Sequence, residues 1–164
     1  MKKPLAITLA ALAAVAVAGA GVGAFSQRDL IDEVLTHEKT YTFDDIPALE
    51  SFRAQSTTPP FTTRQREWMP DDATSIEMKF VTTEKPGWDI RFITKSGLTP
   101  TILAAGKCSP VAKTPKPVLE VDWLPSDLST GASYCTSDQS YVVQKGDTVY
   151  GWQAADAKTY PKAS

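Results

Sequence analysis

Two runs of alternating apolar and polar residues constrain the fold more than any other feature of this sequence. The first is SIEMKFVT, residues 75–82, and the second is GWDIRFIT, residues 87–94. A period of two residues is typical of a strand that buries one face. Pro86 and Gly87, at the start of the second run, mark a turn. The pattern predicts two adjacent antiparallel strands.

Shorter strands are predicted further along the chain, at residues 101–104 and at residues 118–123, where apolar residues again cluster. Proline has no backbone N–H for a strand ladder, so a proline-rich segment stays irregular or lies at a sheet edge. Three prolines mark the segment between these two candidates: Pro110, Pro115 and Pro117.

Helices are predicted before the strands. Residues 28–38, RDLIDEVLTHE, place four apolar side chains at helical spacing on one side, which indicates an amphipathic helix. Residues 45–53 form a second candidate, with Pro47 acceptable in its first turn. QSTTPP, residues 55–60, predicts a loop. The fold class is therefore α+β, a small antiparallel sheet with one or two short helices.

The stretch YVVQKGDTVYGWQ, residues 141–153, has two interpretations. Extended to Tyr160, it resembles the start of a LysM glycan-binding module, in which Asp147 would cap a helix. That module needs some forty residues or more, and too few follow Tyr141. The alternative is a hairpin of residues 141–144 and Thr148–Gln153, turning at Lys145 and Gly146, where glycine supplies the unusual backbone angles. The hairpin needs no further chain, so it is the preferred prediction.

The N-terminus predicts export. Lys2 and Lys3 precede an uncharged apolar stretch, residues 5–25, which fits either a cleaved signal peptide or a membrane-spanning helix. Two small-x-small tripeptides, residues 18–20 and 22–24, favour cleavage, whereas the length of the stretch favours retention as an anchor. In both cases the lysines stay on the cytoplasmic side and the rest of the chain is extracytoplasmic.

The two cysteines, Cys108 and Cys135, both lie in the exported part. Outside a reducing cytosol a lone pair is most simply a disulfide. It would close a loop of about 28 residues, which the chain-entropy model equates with about 3.6 kcal/mol. A zinc site needs about four ligands, and the chain offers two thiols and one histidine, so no metal or cofactor is expected.

Few residues suggest catalysis. His37 is the single histidine, so any triad mechanism would have to use it, and it is placed in the N-terminal helix, away from the strands. The acid pairs Asp44–Asp45 and Asp71–Asp72 fit turns better than a glycosidase or calcium site. A net charge of −2, from 17 basic and 19 acidic side chains, gives no reason to expect nucleic acid.

One resemblance covers residues 68–152. The order is WMPDDATSIEMKF, GWDIRFIT, a first cysteine, VLEVDWLP, a second cysteine and DTVYGW. It resembles a group of small actinobacterial proteins of unknown function, which are exported or anchored by one N-terminal helix. The resemblance implies export, a disulfide and one compact domain, and it implies no catalytic residue.

These observations predict three regions: residues 1–25 as signal peptide or anchor, residues 26–66 as helix and linker, and residues 67–160 as a disulfide-containing β-rich domain. The expected function is that of an exported or membrane-anchored cell-envelope protein, a non-catalytic binding or structural module. Its partner would be an envelope component that the sequence does not identify. Two alternatives remain open, a secreted hydrolase using carboxylates and a LysM-like glycan-binding protein.

Overall fold

Antiparallel strands form one sheet in the computed structural model, which describes residues 37–56, 66–82 and 87–155. Within those residues the sheet has seven strands in the order β1-β2-β3-β7-β6-β5-β4. The strands are β1 Glu38–Asp45, β2 Thr74–Val81, β3 Trp88–Ile93, β4 Cys108–Pro110, β5 Ser133–Cys135, β6 Ser140–Lys145 and β7 Thr148–Gln153. The helices are α1 Ile46–Gln55 and α2 Pro100–Ala105. The predicted sheet with short helices is confirmed.

The two alternating runs pair as predicted. β2 and β3 are antiparallel neighbours, with Met78 opposite Ile90 and Phe80 opposite Trp88. All four of these side chains are buried. One face of the sheet, here called the core face, therefore carries most apolar residues of both strands.

The strand β1 was not predicted. The N-terminal helix was predicted to extend to Glu38, within a region of helix and linker at residues 26–66. Glu38 instead begins β1, which pairs with β2 and puts Tyr41 opposite Met78. The alternation of Tyr41 and Phe43 with polar residues was present in the sequence. The rest of the predicted helix, and the apolar residues 5–25, lie outside the described residues.

The helix α1 confirms the candidate at residues 45–53. Asp45 is its N-cap and accepts a hydrogen bond from the Ala48 amide at 2.9 Å, and Pro47 lies in the first turn. Ile46 and Leu49 are its buried residues. No helix in the described part of the chain is long and apolar enough to cross a membrane.

Both of the shorter strand predictions are wrong. Residues 101–104 belong to α2, because Thr99 caps the helix by accepting from the Ile102 amide at 3.3 Å and Pro100 opens its first turn. Threonine followed by proline is a helix start, and this local chemistry outweighs the β-branched content. Residues 118–123 form no strand, and the bridge nearby joins Pro117 to Ala154.

The predicted hairpin is confirmed. β6 and β7 pair from Ser140↔Gln153 to Lys145↔Thr148, so the two loop residues are Gly146 and Asp147, one position later than predicted. Gly146 has φ +61°, at the loop position where a type II′ turn requires glycine. Residues 148–153 are therefore strand, where a LysM start would place a helix.

A buried tryptophan outside the strands completes the core. Trp68 is fully buried, and its indole N–H donates to Asp138 at 3.0 Å. It packs so closely on β7 that a β-carbon at Gly151 would lie 2.6 Å from the ring. Glycine at this position therefore lets the ring sit directly on the sheet. Trp88, Trp152 and Phe92 are also buried.

Candidate functional site

The outer face of the sheet, opposite the core face, is covered over one half only. Val111, Leu128 and Ala132, from the irregular segment between β4 and β5, pack against Val143 of β6 and Trp152 of β7. Over β1, β2 and β3 the outer face instead carries a groove of about 440 Å³. The residues lining it are Thr42, Phe43, Asp44, Ser75, Ile76, Glu77, Arg91, Phe92, Ile93, Thr148 and Tyr150.

The strand register brings the charged residues of this groove together. Four of its residues lie side by side across the sheet: Thr42 on β1, Glu77 on β2, Arg91 on β3 and Tyr150 on β7. The Nε of Arg91 donates to Glu77 Oε2 at 2.8 Å, and its Nη2 donates to the same oxygen. The Arg91 side chain is still 41% exposed, so its guanidinium is accessible from the groove.

An aromatic pair lies beside this ion pair. Trp123 stacks on Tyr150 with ring centroids 6.4 Å apart, and the guanidinium carbon of Arg91 lies 5.4 Å from the centre of a Trp123 ring. Both rings are half-buried. Ile93, in the same groove, is the most exposed large apolar residue among those that the structure describes, at 43%. The groove thus combines aromatic and apolar surface with hydroxyl, carboxylate and guanidinium groups.

A buried acid lies two residues from Arg91 on the same face. Asp89 is fully buried, and neither of its carboxylate oxygens has a hydrogen-bond partner of ordinary geometry in the described part of the chain. Burial raises the pKa of Asp89 to about 8; Lys79 opposes this rise, and Glu38 adds to it. The backbone amide of Leu119 also lowers the pKa slightly. Trp152 lies directly opposite Asp89, and its indole N–H is likewise buried and unpartnered there.

The acid pairs noted in the sequence have structural roles. Asp72 accepts bonds from the hydroxyl groups of Thr94 and Ser96 and from the amides of Lys95 and Ser96, which tie the loop after β3 to the turn before β2. The hydroxyl donors in particular lower the pKa of Asp72 to about 2. Asp45 caps α1. No group of three or more His, Cys, Asp or Glu within the described ranges could hold a metal ion.

His37 is an exposed residue with φ +56° at the start of the described chain, and its carbonyl accepts from the Thr82 amide at 2.7 Å. It does not line the groove. The one histidine of the chain is therefore not among the residues that the fold brings together here.

The predicted disulfide is present. Cys108 and Cys135 lie directly opposite each other on β4 and β5, with Cα atoms 3.9 Å apart and sulfurs bonded at 2.03 Å. These strands form the edge of the sheet farthest from β1. The disulfide therefore staples the end of the sheet away from the groove.

We expect the double variant Cys108→Ser, Cys135→Ser to lose about 3 kcal/mol of unfolding free energy, because the cross-link no longer restricts the unfolded chain. Urea titration of both proteins measures the difference. Mass spectrometry of non-reduced peptides from the native host checks the bond itself. Free thiols at both positions would contradict it.

Glu77 and Arg91 were missed in the sequence because each occupies an ordinary polar position of an alternating strand. The alternation alone assigns Glu77 and Arg91 to the solvent side, which is typical of solvated charges. Their proximity follows from the strand register. No family model, curated protein or solved structure matches this chain.

Proposed function

We propose that this protein is an exported or membrane-anchored module of the cell envelope, which binds a saccharide in the outer-face groove without transforming it. The groove carries this proposal, because it joins aromatic and polar groups in one concave surface. Export is supported by the apolar N-terminal stretch and by the disulfide, which indicates an oxidising environment.

The chemistry of the groove suits a sugar ring. A pyranose has an apolar face of C–H groups and a rim of hydroxyl groups. Tyr150, Trp123 and Ile93 offer surfaces for the apolar face. Thr42, Asp44 and the Glu77–Arg91 pair offer donors and acceptors for the rim, and hydrogen bonds to charged groups are the stronger kind.

A carboxylate hydrolase is the second candidate, because Asp44 and Glu77 line the same groove. Glycosidases use two carboxyl groups, one of which must be held protonated by apolar surroundings. Glu77 is instead paired with Arg91, and Asp44 is exposed. Neither environment suits a catalytic acid, so binding is the better supported function.

We expect Arg91→Ala to weaken saccharide binding by about tenfold to a hundredfold, since it removes a charged hydrogen-bonding group. The test is calorimetric titration of the full chain with a soluble peptidoglycan fragment and with a chitin hexasaccharide. Tyr150→Ala should weaken binding similarly. Lys95→Ala is the matched control, because Lys95 is exposed and lies outside the groove.

Absence of saturable binding to both saccharides, or equal binding by the Arg91 variant, would overturn the saccharide proposal. The same mixtures should be analysed for cleavage after prolonged incubation. New reducing ends that disappear in Asp44→Asn or Glu77→Gln would favour the hydrolase instead.

A further inference from the structure

An irregular segment, residues 116–124 and here called the strap, lies over the buried Asp89. Val118 N–H donates to the Gln153 carbonyl at 2.9 Å, and Ala155 N–H donates to the Lys116 carbonyl at 3.1 Å. Leu119 is buried, and a β-carbon at Gly87 would come within 2.5 Å of a Val118 methyl carbon. The strap therefore closes on the sheet above the start of β3.

The strap also reaches the groove. Its residue Trp123 stacks on Tyr150 and lies near Arg91, and both of these residues line the groove. The same short segment thus covers the buried acid near one end and contributes an aromatic ring beside the groove near the other. Movement of the strap would therefore change the burial of Asp89 and the position of Trp123 at the same time.

The surroundings of Asp89 offer its charged form little compensation. Lys79 lies opposite it on β2 but forms an ion pair with Glu38 of β1. On its β7 side, Asp89 faces the neutral Trp152. On its strap side, the backbone amide of Leu119 favours the charged carboxylate. A buried carboxylate with so little compensation is strongly disfavoured, so ionisation requires water to reach it.

Among the described elements around Asp89, the strap is held less firmly than the neighbouring strands. β3 is bound on both edges, by β2 and by β7, each through a ladder of paired residues. The strap is joined to the sheet near Asp89 by two main-chain hydrogen bonds in the described part of the chain. Opening the strap therefore disrupts fewer bonds than separating either strand pair.

We propose that ionisation of Asp89 opens the strap and withdraws Trp123 from its place beside the groove, so that ligand binding is tight in acid and weak in alkali. The second half of this statement rests on the proposed binding function, whereas the opening of the strap does not. Because the open strap would return Asp89 to its ordinary acidity, opening should grow about tenfold per pH unit between about pH 5 and pH 8.

Hydrogen exchange of the full chain at several pH values tests the strap directly. After correction for base-catalysed exchange, protection of the Val118 and Ala155 amides should fall about tenfold per pH unit. It should also be lower throughout than that of the Thr94 amide, which donates to Asp147 at 2.9 Å at the other end of β3. In Asp89→Asn the pH dependence at Val118 should disappear.

Protection of Val118 equal to that of Thr94 would mean that the strap opens only when the whole domain unfolds, and it would overturn the inference. So would a pH-independent Val118 amide, or a slope that persists in Asp89→Asn. Even if the variant does not fold, comparison of the Val118 and Thr94 amides in the unaltered chain shows whether the strap opens locally. Saccharide titration at pH 6 and pH 8 then tests whether opening of the strap weakens ligand binding. A lack of any binding refutes the proposed function without affecting the exchange result.

Discussion

Asp89→Asn should stabilise the protein by about 4 kcal/mol at pH 7 and by almost nothing near pH 3.5. The pKa of Asp89 is raised from 3.8 to about 8 by burial in the folded state. Between these values the unfolded chain releases a proton that the folded chain keeps, so the stability of the unaltered protein falls as pH rises through this window. At about 1.36 kcal/mol per pH unit, the loss at pH 7 is about 4 kcal/mol. Asparagine cannot ionise, so the variant keeps this stability at pH 7.

Urea unfolding at pH 3.5, 5.5 and 7 measures this difference. Asp72→Asn is the matched control with the opposite sign, because the pKa of Asp72 is lowered to about 2 by its hydrogen bonds. Its carboxylate stabilises the fold above about pH 4, so Asp72→Asn should be destabilised at neutral pH and the difference should shrink in acid. If the unfolding free energies of the unaltered protein and of Asp89→Asn change with pH in parallel, Asp89 is hydrated in the native state.

Trp152→Ala should lower the unfolding free energy by about 3–5 kcal/mol, the range found when large aromatic residues are removed from cores. Trp152 is fully buried, stacks on Tyr141 at 5.8 Å and packs with Val143 and Ala132. The ring fills the space between the central strands and the segment that covers them. Its removal leaves a cavity that β6 and β7, locked in register, cannot close.

Two matched variants make this measurement specific. Trp123→Ala should destabilise the fold less, because Trp123 is half-buried, yet it should weaken binding in the groove. Trp152→Phe keeps much of the apolar volume and removes an unpartnered N–H, so its effect should be smaller than that of alanine. A loss below about 1 kcal/mol in Trp152→Ala would contradict the packing described here.

Local patterns were sufficient for part of the sheet. The period of two residues predicted β2 and β3, and the turn signal at Lys145 and Gly146 predicted the hairpin of β6 and β7. β1 was missed although Tyr41 and Phe43 alternate, because the helical spacing upstream was extended to Glu38. At residues 101–104 the apolar content suggested a strand, but the Thr99–Pro100 start determines a helix.

The groove and the buried acid depend on information that no local pattern contains. Which strands become neighbours decides that Glu77, Arg91 and Tyr150 form one row. Asp89 occupies a polar position in an alternating strand, which predicts exposure. It is buried because a distant proline-containing segment folds over it, and that segment has no regular secondary structure from which its position follows.

The order of strands in the sheet has a consequence for how the protein is made. β7 is the last strand of the described chain, yet it lies at the centre of the sheet, between β3 and β6. A ribosome completes the first three strands well before the residues that join them to the disulfide-stapled half. Until Thr148–Gln153 emerges, one edge of β3 remains without its native neighbour, and such edges are prone to mispairing. Native closure must therefore wait for nearly the whole described chain, and its late, long-range pairing favours slow folding.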